Sequence, residues 1–246
     1  MLRLRQICLI VRDLEGAIEQ VHAELGAQPL HGCADLSSYG IAADNMGPEG
    51  REFMARAGVE NVVFSLGDNF LEIVAPTRAD TPADRLLSRR GDGGYIVILQ
   101  TDNLDPYVRR AAAEAVRVAA SIDSEQYASV QLHPRDVGAA MLEFALNKQS
   151  AEAAGPWYPA GGRYQRAAGP ALFGVDLTHP APEVLAARWS RLTRRPLQVH
   201  DGFRIGLDES GMIAFMPGNE GIARIRLQGK PRPPLTMAGV QFVTDE

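Results

Sequence analysis

Two glutamates interrupt apolar segments that otherwise read as β-strands. Glu72 lies within Phe70–Val74, and Glu143 lies within Met141–Phe144. A buried carboxylate needs a proton, a cation or a hydrogen-bond donor as its partner. Two carboxylates that face one cavity can also divide the roles of general acid and general base, because burial and proximity raise at least one pKa. The alternative is that each glutamate faces solvent and the leucine before it points inward.

The first glutamate ends a series of elements that begins at the N-terminus. Residues 2–11 alternate and then become apolar, which predicts a strand. Asp13 is a favourable N-cap for the helix that follows, and Gly26 is a natural end for it. Two further strands meet at Gly67-Asp68-Asn69, a strong hairpin signal. The order is therefore β, α and then two or three β.

The same order leads to the second glutamate. A strand over Gly94–Thr101 precedes a helix that begins near Asn103. Further strands cover 118–122, 130–133 and 139–145. The two capping turns lie 90 residues apart in the sequence, each directly after its strand, which indicates a diverged internal repeat.

A third copy follows a change of composition. Residues 147–169 are rich in Pro, Gly and Ala and predict a linker, whose aromatic residues Trp157, Tyr158 and Tyr164 are expected to pin it onto a domain surface. After it, residues 171–227 are read as a third β, α and β series that ends with the strand 222–227.

The last segment resembles the start of a fourth copy. Residues 238–243 are read as its first strand. The predicted domains are therefore 1–146, with two modules, and 170–246, which is incomplete, joined by the linker 147–169. The unpaired β-surface of an incomplete copy needs a cover, and this favours a homodimer.

Composition excludes several classes of protein. The 246 residues carry a net charge of −5 and no run of like charge, which disfavours nucleic acid and anionic membranes as partners. The apolar run at 7–11 is too short for a signal peptide or a membrane span. Two cysteines form no disulfide framework, so a reducing cytoplasm is expected. Phosphate-loop, dinucleotide, G-x-S-x-G and H-E-x-x-H motifs are absent from the sequence.

The tandem β–α–β–β–β pattern resembles the vicinal oxygen chelate superfamily, which includes glyoxalases and bleomycin resistance proteins. The likeness is carried by RQICLIVRDLEGA (5–17), NFLEIVAP (69–76), YIVILQTDNLD (95–105) and LHPRDVGAAMLEF (132–144). The last segment is similar to the matching hairpin of methylmalonyl-CoA epimerases. The resemblance implies an α+β fold, in which tandem βαβββ modules form a curved, mixed half-barrel sheet with helices on its outer face and a small molecule in its cup.

The resemblance also implies positions for the site. Alignment on the turn after each first strand gives Gln6 and Ile96, and alignment of the last strands gives Glu72 and Glu143. Alternation along each strand then adds further residues to the same face. The substrate-binding residues predicted in this way are Gln6, Cys8, Phe70, Ile96, Gln100 and Met141. An apolar face with a few polar groups is typical of a small-molecule pocket.

A metal site would have to use Gln6, Glu72 and Glu143. These three oxygen donors suit Mg²⁺ or Mn²⁺ better than Fe²⁺, which generally takes His or Cys ligands. Ile96, at the fourth position, cannot coordinate. Without a metal, the two glutamates remain as an acid–base pair, so both interpretations stay open.

Among the histidines, His133 has the clearest interpretation. It matches the epimerase-like hairpin and is predicted to contact the ligand or, alternatively, to stabilise the turn with Asp136. In the third copy, Gly174 and either Arg224 or Arg226 take the aligned positions in the first and last strands, and these residues give no metal ligand.

The expected function is therefore a glyoxalase-like enzyme acting on a small molecule, of the isomerase, lyase or dioxygenase-like kind, with Glu72, Glu143 and His133 as catalytic residues. One alternative is a metal-free protein that binds or sequesters a small molecule, and the other is a scaffold without a ligand.

Overall fold

Two open, mixed β-sheets form the framework of the protein. The computed structural model describes residues 1–148, 157–162, 169–200, 202–229 and 233–245. In this part of the chain the first sheet has eight strands and the second has seven. The predicted α+β class with tandem modules in a curved, mixed sheet is confirmed.

The first sheet contains two βαβββ modules side by side, in the order β2-β3-β4-β1-β5-β8-β7-β6. Its first strands, β1 and β5, pair antiparallel at the centre. In each module the last strand pairs parallel with the first, as β4 does with β1 and β8 with β5. The bounds are β1 (Leu2–Ile10), β2 (Pro29–Gly32), β3 (Val59–Leu66), β4 (Asn69–Pro76), β5 (Gly93–Thr101), β6 (Val118–Asp123), β7 (Tyr127–Leu132) and β8 (Met141–Asn147).

In the described residues, six α-helices alternate with the strands along the chain. The predicted cap of the first one is present, since the side chain of Asp13 accepts from Gly16 N at 2.9 Å and Gly26 ends the helix with φ 67°. None of the described helices is long and apolar enough to span a membrane. Their bounds are α1 (Leu14–Leu25), α2 (Pro48–Ala57), α3 (Pro82–Arg90), α4 (Asp105–Ala113), α5 (Pro134–Val137) and α6 (Pro182–Thr193).

The second sheet has the order β10-β11-β12-β9-β13-β15-β14. It repeats the arrangement of the first sheet, because β9 pairs antiparallel with β13 at the centre, while β12 and β15 pair parallel with β9 and β13. The bounds are β9 (Ala171–His179), β10 (Leu197–Val199), β11 (Phe203–Gly206), β12 (Met212–Pro217), β13 (Gly221–Gln228), β14 (Leu235–Met237) and β15 (Val240–Asp245).

This order corrects the prediction for the C-terminal part. The third module ends at β12, so the segment 222–227 begins a fourth module instead of ending the third. The segment 238–243 contributes to β15, the last strand of that module, and not to its first. Arg224 and Arg226 consequently lie in a first strand. The strand order of the second sheet is decided by pairing between residues far apart in the sequence, so local sequence patterns do not predict it.

One apolar cluster connects the two sheets. It combines the buried sides of α1 and α6 with one face of each sheet, and it includes Ile18, Trp189, Leu9 and Ile225. A second, smaller cluster lies on the other face of the first sheet and includes Cys8, Phe70 and Ile98. We call that second surface the site face, because it carries the predicted glutamates.

Candidate functional site

The site face brings Glu72 and Glu143 together with the residues predicted around them. Glu72 pairs across strands with Cys8, and Glu143 pairs with Ile98. Glu143 is 3% exposed and Glu72 is partly buried. Leu71 and Leu142 pack into the larger cluster on the opposite face, so both carboxylates lie on the site face.

Two amide groups hold Glu72. Asn61 Nδ2 donates to its Oε1 at 2.7 Å, and Gln6 Nε2 donates to its Oε2 at 2.7 Å. Burial raises the pKa of Glu72, and the neighbouring charge of Glu143 raises it further, while the hydrogen bonds from Asn61 and Gln6 act in the opposite direction.

A phenol and an amide hold Glu143. Tyr127 Oη donates to its Oε1 at 2.7 Å, and Gln131 Nε2 donates to its Oε2 at 2.8 Å. Burial raises the pKa of Glu143 despite these donors. Gln131 lies directly opposite Glu143 in the β7–β8 hairpin, so each glutamate has a hydrogen-bond donor on a neighbouring strand.

A thiol and a second phenol complete the polar part of the site. Burial and the charge of Glu72 raise the pKa of Cys8, which disfavours its thiolate. Burial also raises the pKa of Tyr95, and the Cys8, Glu72 and Glu143 charges contribute. Tyr95 reaches this face because the β1–β5 register shifts between Cys8 and Leu9.

Part of the predicted linker covers the site face. The indole of Trp157 is fully buried, and its Nε1 donates to Gln6 Oε1 at 2.7 Å. Its ring meets Tyr127 edge-on at 5.6 Å, and Tyr158 stacks on Tyr127 at 5.5 Å. We call residues 157–162 the strap. The predicted contact by Tyr164, and the rest of the linker at 149–156 and 163–168, lie outside the described residues.

A buried arginine fills the space beside the strap. Arg5 lies at the other register shift of β1, between Leu4 and Gln6. Its guanidinium stands 4.9 Å from the ring centre of Phe70 and 5.3 Å from that of Trp157. Its Nη1 donates to the Asp68 carbonyl at 2.6 Å. The site face thus holds a cation between two aromatic rings.

The predicted metal ligands are oriented unfavourably for a divalent ion. An amide coordinates through its oxygen, but Gln6 Oε1 accepts from Trp157 and the Gln6 amide nitrogen faces Glu72. Each oxygen of the two carboxylates also accepts from a neutral donor. Among the described residues, no three His, Cys, Asp or Glu side chains converge as a metal-holding group. The donor set does not fit Mg²⁺, Mn²⁺ or Fe²⁺.

The remaining predicted residues lie at different distances from the carboxylates. Phe70, Ile96 and Met141 belong to the apolar wall of the site face or pack against it. Gln100 is buried two residues further along β5 than Ile98, the cross-strand partner of Glu143. Its Oε1 accepts from Arg3 Nε at 2.9 Å. His133 caps α5, with its Nδ1 accepting from Arg135 N at 3.2 Å. The Asp136 backbone N also donates to the His133 carbonyl at 2.9 Å, so both contacts correspond to the turn-stabilising alternative.

Three residues that hold the carboxylates were not predicted from the sequence: Asn61, Tyr127 and Gln131. A signal existed for the last two, because Tyr127, Ser129 and Gln131 alternate on the strand that precedes Glu143. Arg5 and Tyr95 gave no such signal, since register shifts bring them to this face.

The raised pKa values of the two glutamates predict that stability falls as pH rises. A group whose pKa is higher in the folded chain favours folding below its unfolded pKa, about 4.3 for Glu. This contribution is lost as pH rises through the folded pKa. Urea unfolding between about pH 4 and about pH 8 should show the decline.

Two variants provide the matched comparison. Glu143→Gln should flatten the pH dependence, whereas Glu19→Gln, on the exposed side of α1, should leave it unchanged. An equal slope in Glu143→Gln, Glu72→Gln and the parent chain would contradict the raised pKa values.

Comparisons with known proteins identify the fold but no family. A hypothetical protein from Staphylococcus aureus superimposes with a TM-score of 0.70 at 10% identity, covering 100% of this chain and 99% of that chain. This likeness shows the fold. No family model and no curated protein matches the chain.

Several other solved structures match only part of the chain. Methylmalonyl-CoA epimerase from Streptomyces coelicolor has a TM-score of 0.47 at 19% identity, covering 59% of this chain and 97% of that chain. Methylmalonyl-CoA epimerase from Mycobacterium tuberculosis has a TM-score of 0.46 at 19% identity, covering 59% of this chain and 87% of that chain.

Proposed function

We propose that the site face binds a small organic molecule and that Glu72 and Glu143 exchange protons with it. The reaction class is an isomerase or lyase, in which a carbon–hydrogen bond next to a carbonyl group is broken. Residues 1–146 are the domain that performs it. The observation that carries this proposal is that two carboxylates with raised pKa, buried Glu143 and partly buried Glu72, lie on one apolar face.

The hydrogen-bond donors give the two glutamates different roles. An amide nitrogen only donates, and amides donate to both oxygens of Glu72, so this group is best satisfied when ionised. A phenol both donates and accepts. Protonated Glu143 can therefore donate from Oε1 to Tyr127 Oη and keep its bond from Gln131. Glu72 is the general base and Glu143 is the general acid.

The strap has to leave part of the site when the ligand binds. In the closed state Trp157 takes the oxygen of Gln6 and fills the space over the carboxylates. Removal of its indole would free the Gln6 oxygen for a ligand donor and would expose an apolar cavity. Binding is therefore expected to compete with closure of the strap.

Hydrogen exchange with solvent tests the proposal whatever product the reaction forms. A panel of carbonyl compounds with an acidic carbon–hydrogen bond is incubated with the protein in D₂O, and loss of the proton signal is followed by NMR. The parent chain should exchange at least one compound. Glu72→Gln and Glu143→Gln should lose this activity, and Glu19→Gln should retain it. No exchange across the panel, or equal exchange in all variants, would overturn the proposal.

A second candidate function is favoured by the position of Arg5. Aromatic rings already receive a planar cation on this face, and two carboxylates lie nearby. A protein that sequesters a planar organic cation would use the same groups without chemistry. Saturable binding of such cations with no hydrogen exchange would favour this alternative, and absence of both would favour a structural scaffold.

A further inference from the structure

We propose that the second sheet carries its own binding site, which takes a small molecule with a carboxylate or phosphate group. The site consists of Arg204, Arg224, Arg226 and Asp176, on the face that corresponds to the site face of the first sheet. We call it the arginine face. It does not depend on the proposed function of Glu72 and Glu143.

The strand register establishes the correspondence. In the first sheet Cys8 pairs with Ile96, and Gln6 pairs with Ile98. The central strands of the second sheet repeat this arrangement with Asp176 opposite Arg224 and Gly174 opposite Arg226. The sites of the two glutamates are then taken by Ala214, the partner of Asp176, and Val243, the partner of Arg226. The second copy has thus exchanged two acidic positions for small or apolar residues and gained arginines.

One carboxylate fixes the middle of this face. Asp176 is fully buried, and its two oxygens accept from Arg226 Nε at 2.6 Å and Nη2 at 2.9 Å. Asp245 accepts from the remaining Nη1 of Arg226 at 2.7 Å. Arg226 is therefore satisfied within the protein and serves to build the site. A buried, bidentate ion pair of this kind holds its neighbours in place.

The other two arginines retain donors for a ligand. Arg224 is 38% exposed, and its Nη1 lies 3.7 Å from Asp176 Oδ2 while its Nε donates to Gln241 at 3.2 Å. Arg204 is exposed and makes no hydrogen bond or ion pair in the described part of the chain. Two carboxylates of the second sheet, Asp176 and Asp245, are both engaged by Arg226.

The register places these donors on both sides of a small residue. Arg204 pairs with Ala214, Ala214 with Asp176, and Asp176 with Arg224. The two arginines are therefore three strand spacings apart, about 14–15 Å between backbones, and two long side chains can reach toward one bound group over Ala214. The ends of the same cross-strand row are polar and exposed at Gln198, Gln241 and Thr236.

Charge complementarity selects the occupant. Arginine forks match the geometry of carboxylate and phosphate groups, and the chain as a whole carries −5, so a nucleic acid would be repelled beyond this face. A small oxyanion needs only the local positive charge. A second copy of the chain is the competing occupant, and the test includes it.

Calorimetric titration with inorganic pyrophosphate and with citrate, at low salt, tests the site. The parent chain should bind at least one of them with one site per chain. Arg204→Gln and Arg224→Gln should each weaken binding at least about tenfold, because a hydrogen bond to a charged group is lost. Arg89→Gln removes the same charge from an exposed position on α3 and should have no effect.

The two probes distinguish a phosphate ligand from a carboxylate ligand. Absence of saturable binding to both would overturn the proposal, and so would equal weakening by Arg89→Gln, which would indicate unspecific charge attraction. Light scattering measures the oligomeric state of the parent chain and of the variants. A dimer that dissociates in Arg204→Gln or Arg224→Gln would identify the face as a contact between copies and would also overturn the proposal. Arg204 has no partner in the described residues, so its substitution should leave folding intact, as circular dichroism can verify.

Discussion

Replacing Trp157 by phenylalanine is expected to cost about 1–3 kcal/mol more stability than replacing Trp189 by phenylalanine. Both indoles are fully buried. Trp157 Nε1 donates to Gln6 Oε1, whereas Trp189 Nε1 has no hydrogen-bond partner in the described residues. Loss of the Trp157 donor leaves a buried acceptor unsatisfied, and this accounts for the difference. Urea unfolding followed by circular dichroism measures both variants.

Removal of the whole ring should have a larger effect. Trp157→Ala is expected to lower the free energy of unfolding by about 3–5 kcal/mol, because it empties the space over the site face. It should also expose Cys8, which belongs to the same apolar cluster as Trp157. Modification of Cys8 by a neutral thiol reagent, followed by mass spectrometry, should therefore become faster.

Trp157→Phe provides the matched control, since its ring keeps most of the apolar cover in the cluster that contains Cys8. Cys8 should therefore react more slowly in Trp157→Phe than in Trp157→Ala. If Trp157→Phe is no less stable than Trp189→Phe, or if Cys8 reacts equally fast in Trp157→Ala and the parent chain, the strap does not close the site.

The architecture of the first sheet could be read from the sequence because its signals are local. Hydrophobic alternation, the Asp13 cap and the Gly67–Asn69 turn each depend on a few neighbouring residues. The repeat then gave equivalent positions to Glu72 and Glu143, and strand alternation predicted that both lie on one face of the sheet. Cys8, which alternates with Gln6, was predicted on this face for the same reason.

The remaining features depend on pairing and packing over long distances. A register shift changes which residues share a face, and two such shifts bring Arg5 and Tyr95 to the site face. The segment 222–227 follows the third module in the chain, but its strand begins the fourth module in the sheet. The composition around Trp157 is typical of a linker, and only the fold reveals that its indole reaches Gln6.

The proposed division of roles predicts unequal effects on exchange. Glu72→Gln and Glu143→Gln should each reduce hydrogen exchange by about 10²–10⁴-fold, the usual contribution of a positioned acid or base. Tyr127→Phe removes the phenol oxygen that can accept the proton of Glu143. It should therefore alter the pH profile of exchange as well as its rate.

The matched variant for Tyr127→Phe acts on the other glutamate, Glu72. Asn61→Ala removes one of the two amides on Glu72, which should raise the pKa of the base and move the rising limb of the profile to higher pH. Tyr127→Phe should act on the falling limb, because this limb reports the acid. Movement of the same limb in both variants would contradict the assignment of Glu72 as base and Glu143 as acid. In that case the two carboxylates would still form the site, but neither could be assigned as the base or as the acid.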